Sequence, residues 1–299
     1  MQYWAVLMTF CHLNLHTDRS IMRGMIKPAS LVAWSQKHNV RAAAVTDYGN
    51  VSAAVELYKA CKGTNVIPIY GMEVNLVPDK AAKIKGAKRL ILLARNRIGF
   101  KNLLTIATIG SMYFYYIPRV DIEVIREYSE GLTCLTGDTD GIAAEAYFAD
   151  PNEGLVALYS TWGQIFKEHL YYEIQPVLTE SQRVLNEAIV YLYEQSAGVI
   201  NIVATGDPHY MDEADRYLHE NVMAIKQVRN PGWEYPMKGP YHVRTREEMI
   251  LQFNGLHGKD VCGPETSGFR DALDAPDKII DSIEAFDLRE SVKIPDFIA

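Results

Sequence analysis

Residues Phe10 to Thr17 read FCHLNLHT, a strict alternation of polar and apolar side chains. A β-strand repeats its side chains with period two. His12, Asn14 and His16 therefore share one face, and Cys11, Leu13 and Leu15 the other. Two imidazoles and an amide in a row suit the mouth or lumen of a barrel, where polar groups converge; a solvated edge strand is the plainer alternative. Later segments bear on the choice. Short apolar runs at 41–46, 66–70, 72–77, 89–94, 131–136, 170–175 and 199–205 read as strands. Between them lie helical stretches: Pro28 to Asn39 with Pro28 as first residue, Val51 to Lys62 with Asn50 as N-cap, and Asn96 to Tyr113 with Asn96 as N-cap. Further helices are expected at 122–128, 141–148, 153–168, 180–196, 212–227, 245–253 and 276–285. Strands alternating with helices predict a parallel α/β fold. Polar residues recur just after strand ends, at Asp47, Asp138, Asp207 and His209. In a closed βα barrel those ends gather at one face, where active sites lie.

The chain has 299 residues and is 48% hydrophobic, enough for one large α/β domain or two ordinary ones. No apolar run approaches the roughly 20 residues of a spanning helix, so no membrane association is expected. The opening eight residues lack a basic n-region and a cleavage site. The four cysteines are far apart, without zinc or redox spacing, and a cytoplasmic location with reduced thiols is the simple expectation. The net charge of −7 argues against a surface that grips phosphates everywhere, but allows a local basic patch. Residues 79–88 carry Lys80, Lys83, Lys85 and Lys88: a solvated loop, or a contact for a phosphate backbone. Tyr113-Phe114-Tyr115-Tyr116 reads as a helix end packed on the barrel, or as a platform for stacked bases. The stretch 229–242, rich in Pro, Gly and aromatics, predicts an irregular excursion. It divides the chain into a barrel over 1–228 and an extension with helices over 229–299.

His16, Asp47, Glu73, Asp138, Asp207 and His209 form a mixed imidazole and carboxylate set of the kind that holds Zn, Mn or Fe. Several metals held so could clamp a phosphate and activate water. Their order and wording are more specific than their composition. HLNLHT (12–17), TDYGN (46–50) with AVELYKA (54–60), IPIYGMEV (67–74), LLARN (92–96) with GFKNL (99–103), ATGDPHY (204–210) and the closing IPDF (294–297) run collinearly with one known pattern. The chain resembles the PHP (polymerase and histidinol phosphatase) domain at the N-terminus of bacterial DNA polymerase III alpha subunits. The resemblance implies a distorted (βα)7 barrel, a place in DNA replication, and a polymerase region beginning near 294–297. DNA, a polymerase core and a proofreading subunit are the partners it implies.

Metal-competent members hold up to three metals and hydrolyse phosphoesters, some as 3′–5′ proofreading exonucleases; in others the domain is structural. On that pattern one metal would use Asn14, His16, Glu73 and Asp207, with Asn14 standing where a histidine is usual. A second would use Glu73, Arg89 and Asp138, and a third Arg23, Tyr48 and His209. Arg23, Tyr48 and Arg89 replace usual ligands, and a guanidinium has no lone pair for a metal. The expected cofactor is therefore one divalent metal, zinc or manganese, or none. His12 and Asp47 are supporting residues. Arginines at 23 and 89 can stand in for the missing cations as counter-charges to Glu73, Asp138 and Asp207. Three functions stay open: a structural or weakly hydrolytic PHP part of a replicative polymerase, an active phosphoesterase or exonuclease with a reduced site, and a barrel serving alone as a binding scaffold.

Overall fold

The computed structural model describes residues 9–227, 232–263 and 267–289. The opening octapeptide, the start of the excursion at 229–231 and the 294–297 segment lie outside the described residues. Six strands form one curled sheet in chain order: β1 (Ala42–Val45), β2 (Ile67–Leu76), β3 (Lys88–Ala94), β4 (Leu132–Leu135), β5 (Leu170–Ile174) and β6 (Asn201–Ala204). Helices alternate with them: α1 (Pro28–Lys37), α2 (Ala54–Cys61), α3 (Arg97–Met112), α4 (Ile122–Glu127), α5 (Ile142–Ala149), α6 (Gly154–Phe166), α7 (Glu180–Gln195), α8 (Arg216–Ala224), α9 (Arg246–His257) and α10 (Ser267–Asp281). The α/β class and the distorted barrel stand. Among the described residues no helix is long and apolar enough to cross a membrane.

The sheet is not wholly parallel. β3 runs antiparallel to both β2 and β4, while β1–β2, β4–β5 and β5–β6 are parallel. The reason is the connection between β2 and β3. Residues 77–87 contain no crossover helix, and a short return can only reverse the chain. β2 also merges the two expected strands at 66–70 and 72–77. Gly71 lets it run through, because a Cβ there would lie 2.7 Å from the Leu92 carbonyl oxygen.

Phe10 to Thr17 departs further from expectation, since it makes no regular ladder. It fills the opening between β6 and β1 instead. Thr46 N–H donates to the Leu15 carbonyl at 2.9 Å, and His16 N–H to the Pro208 carbonyl at 3.0 Å. Its remaining groups bond to side chains, such as Leu15 N–H to Thr46 Oγ1 at 2.7 Å and Thr17 N–H to Asp47 Oδ1 at 2.8 Å. Side chains have taken the place of a partner strand. The alternation still sorts the residues: Leu13 and Leu15 enter apolar clusters, and Asn14 and His16 enter the polar interior.

Several helix boundaries also moved, two of them for a visible reason. Asn50 does not cap α2; its Oδ1 accepts from Ser52 N–H in a preceding turn, and Ala53 stands at the N-cap. α10 starts at Ser267 rather than Pro276, and Pro276 lies inside it. Proline there forfeits one intrahelical bond, which the apolar stripe Phe269, Ala272, Leu273, Ile279 and Ile280 offsets by seating on the barrel beside β6. Asn96 caps α3 as the sequence implied, accepting from Gly99 N–H at 3.0 Å.

Candidate metal centre

The ends of β1, β2 and β6 and the start of β3 bring Asp47, Glu73, Asp207 and Arg89 to one end of the barrel. His16 is fully buried at their centre. Its Nε2 lies 2.9 Å from Asp207 Oδ1 and 3.4 Å from Glu73 Oε2. Burial alone would push the imidazole down, but the Asp207 and Glu73 carboxylates override it and raise its pKa to about 9. Its Nδ1 faces Ser20 Oγ at 3.3 Å, and Ser20 Oγ donates to Asp47 Oδ1 at 2.6 Å. Ser20 therefore accepts from His16 Nδ1–H, which leaves Nε2 pointing at the carboxylates. Asp47 also accepts from Thr17 Oγ1 at 2.7 Å. Both of its oxygens are thereby committed to hydrogen bonds.

Asp207 sits at φ 47°, in the left-handed region. A non-glycine residue held there marks a site fixed by its surroundings. The carbonyl of Asp207 accepts from His209 Nδ1 at 2.8 Å. A carbonyl only accepts, so Nδ1 carries the proton. Burial, opposed by Asp207 and reinforced by His16 and His219, lowers the His209 pKa to about 3 and keeps the ring neutral. Its Nε2 lone pair is then the acceptor for Tyr48 Oη–H, 3.0 Å away. Tyr48 thus occupies the remaining lone pair of His209. Its ring stacks on His16 with centroids 3.9 Å apart.

Arg89 Nε lies 3.4 Å from Glu73 Oε1, and its Nη2 lies 3.3 Å from Asp140 Oδ2. Arg89 thus pairs with Glu73, with Asp140 as an additional partner the sequence did not suggest. Arg23 places its guanidinium 4.6 Å from the centre of the Tyr48 ring. Asp138 borders the same cavity of about 260 Å³ with Arg23, Tyr48, Arg89, Asp207 and His209. Burial raises Asp138 to about 7, Arg89 opposing and Asp207 adding.

Asn14 is turned away from this cluster. Its Nδ2 donates to Glu173 Oε1 at 3.2 Å, and its Oδ1 accepts from Thr46 Oγ1 at 3.2 Å. Glu173 also accepts from Gln175 Nε2 at 2.8 Å, Gly137 N–H at 3.0 Å and Thr205 Oγ1. The sequence reading missed Glu173. The signal was available, because Glu173 and Gln175 alternate along β5 as His12, Asn14 and His16 do. His12 lies apart, its Nε2 accepting from Arg244 N–H at 2.9 Å.

The donor set fits one divalent ion. His16 Nε2, Glu73 Oε1 and Asp207 Oδ1 are buried and lack any aligned hydrogen-bond partner, although His16 and Asp207 are within contact distance and Glu73 Oε1 lies 3.4 Å from Arg89 Nε. Unsatisfied buried atoms that converge are costly unless something binds them. Among the described residues, His16, Asp207 and His209 are the group whose ligand atoms lie within 4.8 Å of one another. Imidazole with carboxylates suits zinc or manganese.

Residues 12–176 match the PHP domain family. DNA polymerase III subunit alpha of Borreliella burgdorferi is 30% identical over 83% of this chain and 22% of its own length. The protein of the same name from Aquifex aeolicus is 33% identical over 74% of this chain and 20% of its own. The chain thus spans about a fifth of the length of these curated relatives. Among solved structures, an amidohydrolase from Chromobacterium violaceum aligns with a TM-score of 0.41 and 11% identity, over 67% of this chain and 87% of that one. The matched span holds both His16 and Glu73, and the chain belongs to the PHP domain family.

Proposed function

We propose that the chain is the PHP part of a replicative polymerase of the DNA polymerase III alpha kind, whose barrel is kept chiefly as structure. Residues 1–228 would form the barrel and 229–299 the extension toward a polymerase region, which carries nucleotide transfer and the main contact with DNA. The barrel would brace that region and offer a face to a proofreading subunit. One observation carries the reading: Arg89 is paired with Glu73, and Tyr48 occupies the Nε2 lone pair of His209. Two of the family's three metal positions thereby hold cationic or hydroxyl groups in place of ligands.

The remaining position would hold at most one ion through His16, Glu73 and Asp207. Bound there, a divalent metal supplies Lewis-acid polarisation of a phosphoryl oxygen. This chain's own groups can do the rest only partly. Arg23 and Arg89 present guanidinium donors suited to phosphate oxygens. Asp138, near pH 7 in its titration, can hold or release a proton beside the same cavity. The second ion of a two-metal clamp would keep Glu73 and Asp138 but lose the donor that Arg89 replaces, so slow turnover is expected. The competing reading is a working phosphoesterase or exonuclease, favoured by the cluster of His16, Asp207 and His209 beside a cavity of about 260 Å³ that Asp207 and His209 line.

Metal content per chain decides between them. Protein purified without chelator, then loaded with Mn or Zn, is expected to hold no more than one ion. His16→Ala and Asp207→Ala should abolish it. Two or more ions per chain, with single-turnover cleavage of a 3′-labelled strand, would overturn the structural reading.

A further inference from the structure

The loop between β2 and β3 and the end of α3 together build a surface that the metal centre does not use. Met112, Phe114 and Tyr116 are 76%, 61% and 69% exposed, and Tyr113 and Ile84 are exposed beside them. The expectation of a helix end packed on the barrel therefore fails for these side chains. Lysines of the basic loop lean over the rings. Lys80 Nζ lies 5.5 Å from the centre of Tyr113, and Lys85 Nζ 5.3 Å from that of Tyr116. Lys83 is exposed on the same loop. The acidic neighbours are Asp79, whose Oδ1 accepts from Ala81 N–H at 2.8 Å, and Asp121, which pairs with Lys80 at 2.8 Å. Lys83 and Lys85 leave the loop cationic in a chain of net charge −7.

The juxtaposition is built in. Arg119 is 1% exposed and ties the two segments from beneath. Its Nη1 donates to the Ile84 carbonyl at 2.7 Å and the Ala82 carbonyl at 3.3 Å, and its Nη2 donates to the Tyr115 carbonyl. One buried guanidinium thus fixes the backbone of the lysine loop against the backbone of the aromatic turn. Tyr116 sits at φ 63°, a left-handed conformation that a bulky residue adopts only under constraint. That conformation accompanies a tyrosine left in solvent. The loop joins the β2 end that bears Glu73 to the β3 start that bears Arg89, so the surface and the metal centre open at the same end of the barrel.

We propose that this surface binds single-stranded nucleic acid, with bases stacking on Phe114 and Tyr116 and backbone phosphates meeting Lys83 and Lys85. Aromatic faces accept any base, and flanking cations track the phosphates. The proposal needs no metal and goes beyond the reading of the barrel as structural support.

Fluorescence anisotropy of a labelled oligo-dT with the whole chain, in EDTA, tests it apart from any metal chemistry. Wild-type protein is expected to bind, and more weakly as salt rises. Phe114→Ala and Tyr116→Ala should each weaken binding at least about five-fold. Lys83→Glu with Lys85→Glu should weaken it and flatten the salt slope, and Lys37→Glu with Lys62→Glu should not. All variants should melt as wild type does, since the altered side chains are exposed. No binding of oligo-dT at low salt would overturn the proposal and leave the surface to a protein partner. Equal binding of an abasic strand, or loss through the lysine variants alone, would overturn the stacking role.

Discussion

Replacing Arg89 by alanine tests whether an arginine now does what a metal once did. Its Nε lies 3.4 Å from Glu73 Oε1. Two unit charges at that separation attract by about 5 kcal/mol at an effective dielectric of about 20. The net loss is smaller, for two reasons. Arg89 is 24% exposed, so water reaches the site once the guanidinium is gone. Glu73 also keeps His16 at 3.4 Å, and His16 is protonated at neutral pH. Breaking a buried pair typically costs about 3–5 kcal/mol, and these two features reduce the expectation to roughly 1–3 kcal/mol. For a chain of this size that lowers the melting temperature by about two to five degrees. The assay is thermal unfolding in EDTA of wild type, Arg89→Ala, Glu73→Gln and the double variant. The double variant should be more stable than the summed single losses imply, by roughly 1–3 kcal/mol of coupling. With Mn present, Arg89→Ala should regain stability and take up metal more tightly than wild type. Additive single losses together with unchanged metal affinity would refute the compensation argument.

Two further outcomes follow from the same interior. The His16 pKa is raised from about 6.5 unfolded to about 9 folded, so its stabilisation is fully present below pH 6.5 and is lost as pH rises through 9. In EDTA, chemical denaturation should show stability falling between pH 7 and 9.5, and His16→Gln should flatten that slope; an identical slope in the variant would contradict the assignment. Glu173→Ala strands Asn14 Nδ2, Gln175 Nε2, Thr205 Oγ1 and Gly137 N–H without their acceptor. Urea unfolding should record a loss of about 3–5 kcal/mol, and a loss under 1 kcal/mol would contradict the network.

Period-two alternation located the interior residues before any coordinates, because it depends on covalent geometry alone. Of the residues read at strand ends, Asp138, Asp207 and His209 border one cavity. Three things were not legible. Alternation sorted Asn14 inward but could not say at what depth, and only the fold brings it to Glu173, 159 residues away. The antiparallel β3 was hidden because a helix–strand pattern implies parallel pairing by default. The missing helix at 77–87 was the contrary signal. The exposure of Phe114 and Tyr116 was invisible too, since an aromatic run at a helix end reads the same whether it packs inward or projects.

The substitutions around the metal centre form one contact set. Tyr48 stacks on His16, donates to His209, and lies under the guanidinium of Arg23 at 4.6 Å and near that of Arg89 at 5.5 Å. A ring face carries negative quadrupole and attracts cations, so Tyr48 makes room for two arginines that a neutral aliphatic residue would not hold. Arg89 in turn supplies positive charge beside Glu73 and Asp138, which would otherwise repel Asp207 across a buried mouth. Each replacement lowers the free energy of the others. Undoing one alone leaves the rest opposed to a cation: histidine at 48 would free His209 Nε2 yet still face two guanidiniums. On the proposed reading, the residues at 23, 48 and 89 together put arginines and an aromatic ring where ligands and ions would otherwise balance these carboxylates.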